Sequence, residues 1–333
     1  MPEILQDRRP DTERDIVTAT VNDMIISASR RTDIPAFYSE WLISRLRDGY
    51  VLVRDPYNAN RLKRIGLTPE NVDCIVLWTK DPSAMTERFE QLDKMGYHYY
   101  VQFTLTPYGK DIEPHLPPKN ELIRTFRRMS EMIGVTRSVW RYDPVIISDK
   151  HPVDWHIERF AEMCGLLQDH TERCFVSFID MYRNIDKIFR PMTEDEMRTT
   201  ASGFSKVAKE HDITVFTCSE SIDLSGYGIK HGACIDRELI ERITGHRINA
   251  EKDANQRNEC GCAESADIGS YNTCAHGCSY CYATSNRSTA LRRTASHDPD
   301  SPIIYGRPNG NETVTDVTKR SHRNTQQSLS EYE

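Results

Sequence analysis

No run of apolar residues in this chain is long enough to span a bilayer, and no basic-then-apolar signal segment opens it. Both absences lead us to expect a soluble, cytoplasmic protein with no membrane partner. Basic charge is also in deficit: 43 lysines and arginines face 50 acidic residues, a formal net charge of −7. That balance argues against a general nucleic-acid binder while leaving room for a local basic groove. No short repeat of solenoid type is present. With 333 residues the chain is nevertheless large enough to bury a substantial core, and one main domain is expected.

Cysteine is plentiful. Ten cysteines without a secretory signal, five of them between Cys260 and Cys281, point to thiolates used on metal in a reducing compartment rather than to disulfides. Cys274-Ala-His-Gly-Cys278-Ser-Tyr-Cys281 forms a C-x3-C-x2-C triplet, the spacing that holds three irons of a four-iron cluster. A cubane held by only three thiolates leaves one iron open to another ligand, which implies chemistry rather than storage. Gly277 suits so tight a wrap because glycine adopts positive φ freely. Tyr280 and Tyr282 bracket the last cysteine, where their rings could shield a cluster from water. The other metal reading is a structural zinc site that joins Cys274, Cys278 and Cys281 to His276 or to a further cysteine.

With an aromatic residue before its third cysteine, the triplet resembles the signature of radical S-adenosylmethionine (SAM) enzymes. The resemblance implies a [4Fe-4S] cluster whose open iron chelates the amino and carboxylate groups of SAM. It also implies reductive cleavage to a 5′-deoxyadenosyl radical, hydrogen abstraction from an organic substrate, and a reductant such as flavodoxin or ferredoxin. Radical SAM enzymes normally carry the triplet after the first barrel strand, whereas here it stands near the end, so the barrel order would be permuted. No glycine-rich SAM-binding segment follows any strand candidate. Over a longer span the chain resembles the family called domain of unknown function 1848. The likeness runs from Ile25-Ile26-Ser27-Ala28-Ser29-Arg30-Arg31-Thr32-Asp33-Ile34-Pro35 through Cys260-Gly261-Cys262 to Cys281-Tyr282-Ala283. That family implies a C-terminal cysteine cluster similar to the radical SAM one, and no particular reaction.

Residues 1–22 read as a loosely held polar leader, and the fold is expected to occupy 23–246. Strand candidates rich in β-branched and aromatic residues fall at 24–29, 50–54, 74–79, 97–106, 138–147, 174–180 and 213–218. Amphipathic helices alternate with them, at 37–48, after Asp81-Pro82, at 119–133, at 153–167, from a Thr193/Glu196 capping box, and at 236–244. The pattern predicts an α/β fold of roughly six or seven βα units, a parallel barrel-like sheet related to the TIM barrel, though spacing alone also allows an open doubly wound sheet. Residues 247–308 lose the periodicity and read as a cysteine-rich, cluster-binding segment packed on the barrel. Residues 309–333 read as a disordered tail.

Cys74, Cys174 and Cys164 sit in apolar patterns and are expected to be core. Cys218, Cys234, Cys260 and Cys262 could instead converge on a second cluster or a zinc ion. In parallel α/β folds the site lies beyond the C-terminal strand ends. That rule selects Arg30, Asp33, Lys80, Arg141, Asp180 and Glu220 as catalytic candidates, and Arg31, Thr104, Ser177 and Tyr280 as cofactor-binding ones. Arg30, Arg31, Lys80 and Arg141 together favour an anionic ligand. The leading expectation is therefore an atypical radical SAM-type enzyme. Its rivals are a metal-stabilised module binding nucleic acid or another phosphate-bearing ligand, and a lyase or hydrolase that uses the cluster without radicals.

Overall fold

Short, wholly apolar strand segments separated by one-faced helices bury both sides of each strand only if the strands run parallel and are covered on both faces. That is the arrangement found in the computed structural model, which describes residues 24–182, 185 and 189–317. The leader at 1–22 and residues 318–333 of the expected tail lie outside the described residues. In chain order the elements are β1 (Met24–Ala28), α1 (Ile34–Phe37), α2 (Ser39–Asp48), β2 (Tyr50–Arg54), β3 (Arg61–Gly66), β4 (Val72–Thr79), α3 (Ser83–Thr86), α4 (Phe89–Lys94) and β5 (Tyr99–Thr104). There follow α5 (Lys119–Ile133), β6 (Ser138–Val145), α6 (Val153–Leu167), β7 (Arg173–Phe178), α7 (Glu194–Glu210), β8 (Thr214–Cys218) and β9 (Lys230–Gly232). The chain continues through α8 (Arg237–Thr244), β10 (Ala266–Asp267), α9 (Arg287–Ala295) and β11 (Thr313–Asp316).

Eight strands make one sheet in the order β10-β1-β4-β5-β6-β7-β8-β9, and each ladder in it is parallel. The order climbs steadily from β1 to β9, and the chain then returns to lay β10 beside β1. Among the described residues no ladder joins β9 to β10. Residues 50–54, expected in the parallel set, instead pair antiparallel with β3 in a separate sheet of order β11-β3-β2. The reason is connection length: the short loop after β2 permits a hairpin, whereas a parallel neighbour needs a crossover of a dozen or more residues. Within the span expected as a disordered tail, Thr313–Asp316 runs parallel to β3 with Thr313 opposite Arg61.

Side chains alternate across the large sheet as strand geometry requires. Ile26, Ile75, Val101, Trp140 and Val176 face the helical layer, while Ile25, Cys74, Tyr100, Val139 and Phe175 face the other way. That second face is covered by Leu239 and Ile240 of α8 and by Ile248, Ala250, Cys260, Cys262 and Ala263, so the cysteine-rich segment contributes apolar packing of its own. Cys74, Cys164 and Cys174 are core residues, each buried. The Thr193/Glu196 capping box is present at the start of α7, and α5 and α6 turn Phe126 and Phe160 inward. Among the described residues no helix is long and apolar enough to cross a membrane.

His156 on α6 is fully buried, and the tautomer with its proton on Nε2 satisfies both neighbours, donating to Ile146 O at 2.8 Å and accepting the Tyr142 hydroxyl at Nδ1, also at 2.8 Å. Burial draws its pKa down to about 4. The unfolded chain therefore takes up a proton near pH 6.5 that the native chain refuses until about pH 4, and stability present above that window is lost on acidification. Urea titrations at about pH 7 and about pH 5 should show a fall of at most about 3 kcal/mol from this group. A fall of the same size in His156→Gln would contradict the assignment.

Candidate functional site

The C-terminal ends of β1, β4, β5, β6, β7 and β8 open onto one cavity of about 420 Å³. Every site residue selected from the sequence lies on its wall: Arg30, Arg31, Asp33, Lys80, Thr104, Arg141, Ser177, Asp180, Glu220 and Tyr280, with Cys218, Cys234, Cys260, Cys262, Cys274, Cys278 and Cys281. The strand rule gathers the first set because parallel strands end at one rim. The cysteines reach the same rim by different routes: Cys218 ends β8, Cys234 follows β9, and the other five arrive on the chain after α8.

Two buried carboxylates fix the loop that carries the triplet. Asp33 caps α1 by accepting from Ala36 N at 3.0 Å, and its other oxygen accepts from Lys80 N at 2.7 Å and from His276 Nε2 at 2.8 Å. Its hydrogen-bonding capacity is thus used to brace the ends of β1 and β4 against the cysteine loop. Donation to Asp33 leaves His276 Nδ1 unprotonated in the neutral ring, and that buried nitrogen has no partner, as is true of the buried Ser279 hydroxyl on the same loop.

Glu113 is the second carboxylate. It accepts from Lys80 Nζ at 2.8 Å and Thr106 Oγ1 at 3.0 Å, and also from Lys119 and the Tyr280 hydroxyl. Burial alone would raise its pKa, but the ammonium groups of Lys80 and Lys119 outweigh burial and hold it at about 2. The Lys80 ammonium also lies 5.1 Å from the centre of the Tyr280 ring. Sequence reading passed over Glu113 because it belongs to a loop between β5 and α5 with no periodic signal. Only its closeness to Lys80 marks it, and that closeness is tertiary.

Arg30 and Arg141 also line the cavity and stack on Trp78, their guanidinium carbons 5.6 and 5.1 Å from the ring centre. Arg141 donates to Cys234 Sγ at 2.7 Å and pairs with Asp143, which also accepts from Ser177 Oγ. Asp267 on β10 accepts from Ser27 Oγ, Ser29 Oγ and Arg30 N at 3.0, 2.6 and 2.9 Å, pinning the end of β1. Asp180 is paired with Arg257 at 2.6 Å, and Arg31 lies 5.2 Å over the Tyr271 ring. Glu220 accepts from Phe178 N at 2.8 Å, and burial pushes its pKa up to about 7.

In the triplet Gly277 has φ +70°, and a Cβ there would stand 3.1 Å from the His115 ring, so the turn demands glycine on two counts. Burial raises Cys274 well above the usual thiol range, with Asp33 and the other two thiols adding to it, and raises Cys278 to about 12 against the pull of Lys80. The second set is in sulfur contact: Cys218 Sγ stands 2.9 Å from Cys234 Sγ. Hydrogen bonds from Cys234 and Cys260 draw the Cys262 thiol down, helped by the charge of Arg30. As they stand, no three His, Cys, Asp or Glu side chains among the described residues are set to hold a single metal ion. Thiolates on different irons of one cluster lie farther apart than ligands of one ion, and three soft donors on a glycine-pinned loop beside unpartnered polar atoms fit such a cluster.

Removing the charge of Glu113 while keeping its shape leaves two partly buried ammonium groups without their counter-ion. Glu113→Gln should destabilise the protein by roughly 3–5 kcal/mol, read from the denaturation midpoint at neutral pH. An unchanged midpoint would show that the Lys80 and Lys119 contacts do not brace this loop.

A family profile described as "Domain of unknown function (DUF1848)" matches residues 25–283. None of the curated proteins compared matches the chain. Among solved structures the chain is similar to the crystal structure of "a putative alpha-L-fucosidase from Bacteroides thetaiotaomicron VPI-5482", at 10% identity over 62% of this chain and 78% of that one, with a TM-score of 0.27. So distant a likeness bears on neither activity nor the details of the fold. The family match runs from β1 through the last cysteine of the triplet and takes in both thiol sets, so the chain belongs to the DUF1848 family.

Proposed function

We propose that this chain is an iron–sulfur protein of radical SAM type, in which Cys274, Cys278 and Cys281 hold a [4Fe-4S] cluster at the rim of a parallel α/β sheet. The observation that carries the reading is the meeting of those three thiols with a ring of strand-end polar residues on one cavity. When bound, such a cluster with SAM at its open iron supplies one-electron cleavage of SAM and hydrogen abstraction from an organic substrate, after reduction by a flavodoxin or ferredoxin. A reducing cytoplasm is the matching compartment. The strand order, with β10 returned beside β1, supports a barrel related to the TIM barrel, its gap between β9 and β10 bridged by the segment after α8.

The chain's own residues bind, orient and exclude water. Arg31 has no ion pair among the described residues and can meet an anionic group on the cavity wall, where Thr104 offers a hydroxyl while that of Ser177 is given to Asp143. Lys80 and Arg141 are already paired with Glu113 and Asp143, so their part is to hold positive charge beside sulfur rather than to grip substrate. Tyr280 and Ile179 shield Cys278 from water. A non-radical lyase or hydrolase remains the second reading, favoured by Glu220, whose half-buried carboxyl lies on the cavity wall held by one backbone donor.

Anaerobic reconstitution with iron and sulfide should load the wild type with one four-iron cluster more than Cys278→Ala, counted by iron and acid-labile sulfide. Equal loading would sink the reading. Formation of 5′-deoxyadenosine from SAM by the reduced protein separates the radical reading from the second one.

A further inference from the structure

We propose that Cys218, Cys234, Cys260 and Cys262 form a second metal centre, a tetrathiolate site for a thiophilic metal, on the same cavity as the triplet. It goes beyond the function proposed above and does not depend on the triplet carrying iron. Cys218 Sγ and Cys234 Sγ are in contact, Cys234, Cys260 and Cys262 are buried in one cluster with Cys218 packed against it, and all four line the same cavity. Cysteines that serve as core behave differently here: the Cys74 and Cys174 thiols each turn to the carbonyl of the next residue.

The backbone around the four is built to hold them. Cys234 O accepts two bonds, from Tyr100 Oη and Gln102 Nε2, both at 2.7 Å, so two side chains of β5 fix that position. Cys262 Sγ accepts from Ile235 N at 3.4 Å, and Ala263 N donates to Ile235 O at 3.0 Å. Two glycines let the strands approach. A Cβ at Gly232 would fall 2.5 Å from the Phe175 ring, and one at Gly261 would fall 3.3 Å from Gly232 O. Neither place admits a side chain without displacement, and the contact brings the Cys260–Cys262 turn onto the end of β9.

Charge then selects the ligand class. Arg141 is 5% exposed and aims Nη1 at Cys234 Sγ from 2.7 Å, and Arg30 lies over Trp78 on the same cavity. A guanidinium buried against sulfur is favourable when the sulfur carries negative charge. Adjoining thiolates repel one another, and a cation among them removes the repulsion, with the surplus negative charge facing Arg141 and Arg30. Ligands about 2.3 Å from a tetrahedral ion stand about 3.8 Å apart, so the 2.9 Å pair has to open by under an ångström. That is within the reach of χ1 rotation at Cys218, which ends its strand.

The test uses the full-length protein purified anaerobically, with zinc, iron and sulfide counted in the wild type, Cys278→Ala and Cys262→Ser. Cys278→Ala should keep one metal centre that Cys262→Ser loses. Zinc without sulfide identifies a mononuclear site, and iron with sulfide a second cluster. Metal content in Cys262→Ser equal to the wild type overturns the proposal and leaves the triplet reading intact. Loss in Cys262→Ser with none in Cys278→Ala supports it and overturns the triplet reading instead. Should Cys262→Ser fail to fold, alkylation of native wild type decides: Cys218, Cys234, Cys260 and Cys262 should be protected until a chelator strips the metal. Ready alkylation of the four before stripping overturns it.

Discussion

The loop that carries three cysteines packs Cys278 and Tyr280 into a small apolar cluster, and two buried carboxylates tie it to the ends of the strands. Asp33 ties the loop to the ends of β1 and β4 through His276, and Glu113 ties it to Lys80 and Lys119 through Tyr280. Both acids are buried, and each is tolerable only because its oxygens are met by donors. The geometry of the triplet relative to the sheet follows from those contacts. A change that unbalances either carboxylate is felt first at the cysteines.

The same logic of compensated charge runs round the rim. Lys80 answers Glu113, Arg141 answers Asp143, and Arg257 answers Asp180, so most of the cations at the strand ends are already paired. Two of these pairs set their charges close to sulfur: Lys80 draws the Cys278 thiol down while Glu113 pushes it up, and Arg141 and Asp143 act in the same opposed way on Cys218. Trp78 holds both Arg30 and Arg141 within stacking distance on the cavity wall. The polar ring is therefore a set of mutually fixed side chains rather than loose ones.

Much of the main sheet could be read from the chain because each parallel strand is an isolated apolar run. The helices at 119–133 and 153–167 match α5 and α6 residue for residue, since Gly134 ends the first and Pro152 opens the second. The strands missed are those without such a signal. β3 carries only two buried side chains, Leu62 and Ile65; β11 is wholly exposed; β9 and β10 are three and two residues long. For the site, one rule of parallel sheets gathered the strand-end residues on one cavity. It could not find Glu113, Asp267 or Trp78, whose importance comes from partners distant in sequence. Asp33, read as a catalytic candidate, has its oxygens taken by three donors, a fact that no local pattern carries.

The central claim is that Cys274, Cys278 and Cys281 hold a four-iron cluster facing the polar cavity. The most direct measurement is an anomalous difference map at the iron absorption edge, from crystals of reconstituted protein grown without oxygen. The account predicts strong anomalous density bounded by Cys274, Cys278 and Cys281 on the cavity side of the loop. Well-ordered thiols with no anomalous density between them, in protein shown to contain iron, would contradict it.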